Sequence, residues 1–584
     1  MLTTMAPHQT IPGTDIYGPG TFIDKEVLPV PVDARRVFEY LASSTPGFTQ
    51  DRAAWDTVRF TGGSEPMIPG PIKAPVVAAA LHAMCGLVAN ELLELRDGRP
   101  VHESTVAVDT DHAGLWLGST FTTYINGEDV STLARSNTLA SLFDRDFEQG
   151  FGKGLAGRAT AIYQTKDPNV WYQLHGSLDA TRTLQSMGIP TDVKFDTMQE
   201  YYEYIQSHVI QWSPDELEMH NVRHGLCGSI CYSPEGWRKT SMGQRLAAHP
   251  LVNYTCATYA APTPPVPLPH NPADRRPLAG IKVLEMVRII AGPTIGVTLA
   301  SYGADVIRVN CSKLADLNVL QLTLNAGKRT IDLDISNPED KTRLLDLLAE
   351  ADIFVQGFRP GSLARQGLDL NSMLERAATR NKGIIYLDEN CYGPDGAFAE
   401  RPGWQQIGDA ASGTSYVMGR AQAPETLPAG YSVLPPLPVS DMTTGLVGAL
   451  AAMMAVRDRT TRGGSYHSVS SLVAADAVAL DPEVGLYPPA VVGHTAQRFG
   501  FVPATPDQFV SEIMIQVLDG WKRGFPASVY GQEGSRFMTV FEDGPWGRQT
   551  LLKPVARLGD AEASPRWSSP SVPNCYHRKD IHWL

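Results

Sequence analysis

The strongest periodic pattern lies between residues 281 and 387, where short apolar runs alternate with helical stripes. Residues 281–286 read as a strand, Ala291-Gly292-Pro293 as a turn, and residues 294–301 as a helix with Pro293 suited to its first position. A second apolar run follows at 304–309, so strand, helix and strand are spaced as a βαβ unit with a parallel sheet. Residues 330–334 and 353–355 read as further strands. Between them Leu344, Leu345, Leu347 and Leu348 make one apolar helical stripe over residues 338–350. Residues 383–387 read as another strand. The expected fold class is α/β, with residues 279–400 forming an open, doubly wound, Rossmann-like parallel sheet.

The stretch 261–278 is proline-rich and aperiodic, which predicts an extended linker between a unit of residues 1–260 and one of residues 279–584. The two units echo each other. Residues 83–89, leading to Leu95-Arg96-Asp97, resemble residues 443–449, leading to Val456-Arg457-Asp458. Each is a helix of small apolar residues ending in Arg-Asp, then a glycine turn and a short strand with histidine, Val101-His102 and Tyr466-His467. Ala-rich helices can look alike by chance, but the shared order of elements favours a partial internal duplication. The amino-terminal unit has no counterpart of the βαβ start at Ile281.

Composition narrows the function. The chain has 584 residues, 43% hydrophobic, enough for three or four cores at about 150 residues per domain. Its 49 Lys+Arg against 62 Asp+Glu leave a net charge of -13, so neither nucleic acid nor an anionic membrane is an expected partner. The longest apolar run, residues 445–456, is 12 residues, short of the ~20 a membrane span needs. The start MLTTMAPHQT carries no secretory pattern, which leaves a cytoplasmic location as the default expectation. The seven cysteines are sparse and odd in number, as for reduced thiols. Cys227 and Cys231 are four apart, but no second Cys/His pair with zinc spacing follows, so no metal is expected.

Several residues could carry chemistry. The turn Gly292-Pro293-Thr294-Ile295-Gly296 could present N–H groups to an anion, although it is neither GxGxxG nor a P-loop. Lys328 and Arg329 precede one strand, and Arg359 and Arg365 follow another. Each alone reads as a solvated surface charge; together, in an acidic chain, they outline a local anion site. Asp441 stands just before a very apolar helix. On local sequence it reads first as an N-cap, with a chemical role as the alternative.

Taken in series, the segments PLAGIKVLEM, AGPTIGVTLASYGADVIRV, LNAGKRTIDLDI, ADIFVQGFRPGSLARQGLD, RPGWQQIGDAASG and PVSDMTTGLVGALAAMMAVRDRTTRGG resemble the class III CoA-transferases. That family includes formyl-CoA transferase, carnitine CoA-transferase and α-methylacyl-CoA racemase. The resemblance runs from about residue 278 to 475. A smaller likeness, at residues 162–167 and 171–174, marks residues 150–260 as similar to the family's small domain. The resemblance implies a rearranged chain, with the βαβ core after the linker and the small-domain-like segment before it. Family members form interlocked dimers, so a homodimer or an intrachain pseudo-dimer is implied.

By the same resemblance Asp441 is the nucleophile of CoA transfer from an acyl-CoA to a carboxylic acid, through aspartyl anhydride and aspartyl-CoA intermediates. Coenzyme A enters as substrate, without a metal. Ala291, Gly292 and Pro293 match the turn laid against CoA. Arg308 and Asn325 match positions near the nucleotide and pantetheine, and Phe358, Arg359 and Arg365 match the loop on the phosphates and adenine. Lys328 joins them as an anion-site cation. The chain departs from the family at Asn310-Cys311-Ser312-Lys313, where an acidic residue and an Arg-Pro-Gly turn are usual. Racemases of the family pair the Asp with a His; the aligned place here is Gly403-Trp404-Gln405, which favours transfer over a 2-methylacyl-CoA racemase. A non-catalytic scaffold derived from the family is a third reading.

Overall fold

The structure is a computed structural model that describes residues 8–143, 152–257, 259, 262–271, 273–422, 427–532 and 534–584. Residues 1–7 of the amino-terminal segment, and residues 261 and 272 of the proline-rich stretch, lie outside the described residues.

In the amino-terminal half, β1 (Val58–Thr61), helix α1 (Ala74–Asp97) and β2 (Val106–Asp109) make a βαβ unit with parallel strands. The expected strand at Val101-His102 is a single 3₁₀ turn, Val101–Glu103. The inward alternation of a strand starts only at Val106 and Val108, which are buried. A second, antiparallel sheet follows, of β3 (Ala161–Gln164), β4 (Trp171–His175) and β5 (Cys227–Ile230). Its first hairpin is the segment that resembles the family's small domain. The short strand β6 (Tyr254–Ala257) completes this half.

After the proline-rich stretch come β7 (Lys282–Met286), α2 (Ala291–Ser301), β8 (Asp305–Asn310), β9 (Arg329–Asp332) and β10 (Ile353–Gln356). Then follow β11 (Ile385–Asn390), α3 (Gln405–Ser412), α4 (Val439–Arg462), β12 (Ser465–Ser471) and α5 (Leu472–Ala479). The strands form one seven-stranded sheet in the order β6-β12-β11-β10-β7-β8-β9. All neighbours are parallel except β6, which pairs antiparallel with β12 at the edge. Counted from β7, the carboxy-terminal strands have the doubly wound order 3-2-1-4-5-6, with the reversal between β7 and β10. Helix α2 begins at Ala291, two residues before the expected start. Pro293 is then its third residue, still within the turn whose N–H groups have no helical partner.

One apolar core spans the proline-rich stretch. It takes Leu81 and Leu87 from α1 and Leu446 and Leu450 from α4. The two helices of the sequence echo, both 24 residues long, pack against each other at its centre. By length and composition both could cross a membrane, but 94% of each apolar window is buried inside the protein. Gly445 lets α4 approach α2 closely: a Cβ there would lie 2.6 Å from the Ala291 carbonyl oxygen. This contact brings the first turn of α4 beside the start of α2, at the carboxyl end of β7.

Candidate active site

Open parallel sheets bind ligands beyond the carboxyl ends of their strands, at the point where strand order reverses. Here a cavity of about 680 Å³ lies at that point, between the turn after β7 and the loop after β10. Asp441 reaches it from α4, Glu389 from the end of β11, and Ala291 from α2.

Asp441 is the third residue of α4, and Pro438 takes the capping position without a side-chain bond. The Asp441 side chain is therefore not an N-cap. It is 7% exposed, faces the cavity, and makes no hydrogen bond or ion pair among the described residues. Burial, then the nearby acids Glu389 and Asp409, hold its carboxyl well above the usual carboxylate range. Burial likewise pushes Glu389 up to about 7. The turn carries strain as well: Ile289, a β-branched residue lining the cavity, has φ 69°, in the left-handed region. Such a conformation costs about 1–3 kcal/mol and persists only where its surroundings impose it.

The cavity mouth is basic. Arg359 and Arg365 lie on the loop after β10, and Arg288 on the turn after β7. Arg359 Nη1 donates to the Gly225 carbonyl at 3.2 Å, and Arg288 Nη1 to that of Ala315 at 2.9 Å. A second cavity of about 370 Å³ adjoins the first, sharing Arg288 and Phe358 and reaching Asn310, Cys311 and Lys313 beyond β8. The opposite wall comes from the amino-terminal half, through Ser177, Asp179 and Cys227. His175 of β4 stacks on Trp404, which lines the cavity from the carboxy-terminal half, ring centroids 4.7 Å apart at 20°. Gly403, Trp404 and Gln405 all line the cavity, and no histidine does among the described residues. Nor do the described residues hold a group of three or more His, Cys, Asp or Glu able to bind a metal.

Five of the residues singled out from sequence thus meet in one cavity: Asp441, Ala291, Phe358, Arg359 and Arg365. The structure does not bring the others there. Gly292 and Pro293, the second and third residues of α2, do not line the cavity, and Gly292 is pressed on Val287, whose Cβ is 2.6 Å from where its own would be. Arg308 is buried, with Nη1 on Asn325 Oδ1 at 2.8 Å and Nη2 on Asp316 at 3.3 Å. Asn325 Nδ2 in turn donates to Asn574 Oδ1 at 3.0 Å. Lys328 is enclosed, donating to Glu285 Oε1 at 2.6 Å and to the Pro293 carbonyl at 2.8 Å. The reason is directional. Lys328 and Arg329 stand at the amino end of β9, away from the ligand end of the sheet, and Arg329 pairs with Asp305. Glu389, Arg288 and Ile289 were missed. Arg288 and Glu389 were findable, since both lie at carboxyl ends of expected strands; the Ile289 backbone has no sequence signature.

With this geometry, comparison with known proteins assigns the class. Residues 278–500 match the model of CoA-transferase family III. The chain is 44% identical over 580 residues, 99% of each chain, to a protein of Gibberella moniliformis called acyl-CoA transferase. It is 35% identical over 418 residues, 70% of this chain and 69% of the other, to acetyl-coenzyme A transferase nodX of Hypoxylon pulicicidum. It is also 30% identical over 202 residues, 32% of this chain and 44% of the other, to the human succinyl-CoA:glutarate CoA-transferase. The chain belongs to CoA-transferase family III, and is an enzyme of that class.

The Lys328 network yields a stability prediction. Glu285→Ala leaves the Lys328 ammonium buried without its carboxylate, and is expected to destabilise the fold by about 3–5 kcal/mol in denaturant unfolding. The KM for acyl-CoA of the folded variant is expected to stay at the wild-type value, because the network does not line the cavity.

Proposed function

We propose that the enzyme moves CoA from an acyl-CoA thioester to a carboxylic acid through covalent intermediates on Asp441. The observation that carries this reading is an unpaired, buried carboxylate facing a cavity with a basic mouth. Desolvated and next to other acids, the carboxylate is a stronger nucleophile than in water, and neutralising it by acylation relieves its burial. It attacks the thioester carbonyl, forming a mixed anhydride and releasing CoA thiolate. The thiolate attacks the aspartyl carbonyl, giving aspartyl-CoA and the free donor acid. The acceptor carboxylate then attacks aspartyl-CoA, again releasing thiolate. The thiolate takes the acceptor acyl group and frees Asp441.

In this reading CoA spans the two adjoining cavities. The nucleotide end lies in the smaller one, the phosphates beside Arg288, Arg359 and Arg365, and the pantetheine arm passes Phe358 toward Asp441. In the first turn of α4 the Val439 N–H is bonded to the Leu437 carbonyl, which leaves those of Ser440 and Asp441 to meet a developing oxyanion. The wall at Gly403-Trp404-Gln405 supplies no base for α-proton removal, which supports transfer over racemisation. In this reading the amino-terminal half, which lends Ser177, Asp179 and Cys227 to the cavity, serves as the second member of an intrachain pseudo-dimer.

Asp441→Ala is expected to abolish CoA exchange between acyl-CoA and acid, with the circular dichroism spectrum and melting temperature retained; wild-type exchange in that variant removes the mechanism. Arg359→Ala is expected to raise the acyl-CoA KM about ten-fold or more with little change in kcat, since phosphate contacts are made equally in ground and transition states. A loss confined to kcat means that Arg359 does not hold the phosphates.

A further inference from the structure

Two more acids lie behind Asp441, outside the cavity wall. Asp409 on α3 is 0% exposed and Asp476 on α5 is 2% exposed. Ser440, the neighbour of Asp441, donates to Asp409 Oδ1 at 3.2 Å, and Gln405 Nε2 donates to Asp409 Oδ2 at 3.0 Å. Thr414 Oγ1 donates to Asp476 Oδ1 at 3.4 Å, while Asp476 Oδ2 is enclosed and receives no donor. Helices α3 and α5 pack on each other so that Asp476 Oδ2 lies 3.2 Å from where a Cβ on Gly408, the neighbour of Asp409, would be, and the two carboxyls interact. Neither makes an ion pair among the described residues. Two ionised carboxylates in contact inside a core, with no cation paired to either among the described residues, repel strongly, and a single proton between them resolves this. An enclosed Oδ2 with no donor of its own makes Asp476 the carboxyl suited to carry that proton.

We propose that Asp409 and Asp476 form a proton-sharing positioning pair for Asp441. The one negative charge they retain disfavours Asp441 as a free carboxylate, and so favours it as a covalently neutralised anhydride or thioester. The proposal rests on reading Asp441 as the nucleophile. The same charge contributes to holding the Asp441 carboxyl above its usual range, after burial and Glu389. The remaining titratable neighbours do not cancel it. His175 of β4 and Cys227 of β5, strands packed on α3, are kept neutral by burial. His467 of β12 pairs with Asp388 at 2.6 Å. On the helix Pro234–Lys239, Glu235 and Lys239 pair with each other, and Arg238 binds the Leu480 carbonyl. Arg420 ends the helix Thr414–Arg420, and Arg457, Asp458, Arg459 and Arg462 lie at the far end of α4.

The two amide variants separate this pair from a structural network. Asp476→Asn removes the proton but leaves the charge on Asp409, whereas Asp409→Asn removes the charge. Infrared titration of the full chain in the Glu389→Gln background is expected to record a protonated-carboxyl band through neutral pH. Part of the band is expected to persist with Asp441→Asn, and that remaining part to vanish when Asp476→Asn is added. Asp441 must be ionised to attack, and removing a nearby negative charge eases its ionisation. The acid limb of kcat/KM is therefore expected to move down by about one pH unit in Asp409→Asn, with kcat lowered about ten-fold and KM held. In Asp476→Asn the limb is expected to stay in place. The proposal is overturned if no such band exists, if the band is lost with Asp441→Asn, or if both amide variants keep the wild-type limb. The infrared results stand even if Asp409→Asn does not fold, and they do not depend on Asp441 being catalytic.

Discussion

The structure depends on keeping a carboxylate out of water without giving it a partner. Among the described residues Asp441 has no capping bond and no paired cation, and the charged groups that act on it most are acids. An isolated ionised carboxylate in an apolar setting is costly, and a protein normally protonates or pairs it. Here it is held by the helix it begins. Helix α4 is packed along its length against α1, α2 and the sheet, so its first turn cannot swing out to solvent. The close approach at Gly445 fixes that turn against Ala291, and the strained Ile289 closes the corner.

That requirement explains why the two halves of the chain share one core. The carboxy-terminal sheet alone offers the carboxyl ends of β7 and β10, but its cavity would be open on one side. The antiparallel unit of β3, β4 and β5 covers it, through the stack of His175 on Trp404 and the reach of Arg359 to Gly225. Strand β6 pairs with β12 and becomes the short edge strand of the sheet. The echo between α1 and α4 has a structural counterpart: both helices enter a parallel strand, β2 and β12, and they meet at the centre of the core.

The sheet was largely legible because buried parallel strands are continuous apolar runs, and their boundaries came within one or two residues at β7, β8 and β10. The cavity residues on loops after strands were legible for the same reason: Arg359 and Arg365 follow the end of β10. Side-chain direction was not legible. Arg308 and Lys328 have the composition of an anion site, but one is buried on Asn325 and Asp316, and the other stands at the amino end of its strand. Asp409 and Asp476 are 67 residues apart in sequence, and each reads alone as an ordinary polar position in a helix. Only the packing of α3 on α5 makes them a pair.

The most direct test of the account is chemical capture of Asp441 itself. Wild-type enzyme turning over an acyl-CoA, quenched with hydroxylamine and digested, is expected to give a peptide carrying a hydroxamate at Asp441, and no such peptide without acyl-CoA. An unmodified Asp441 during measured CoA exchange would contradict the covalent account.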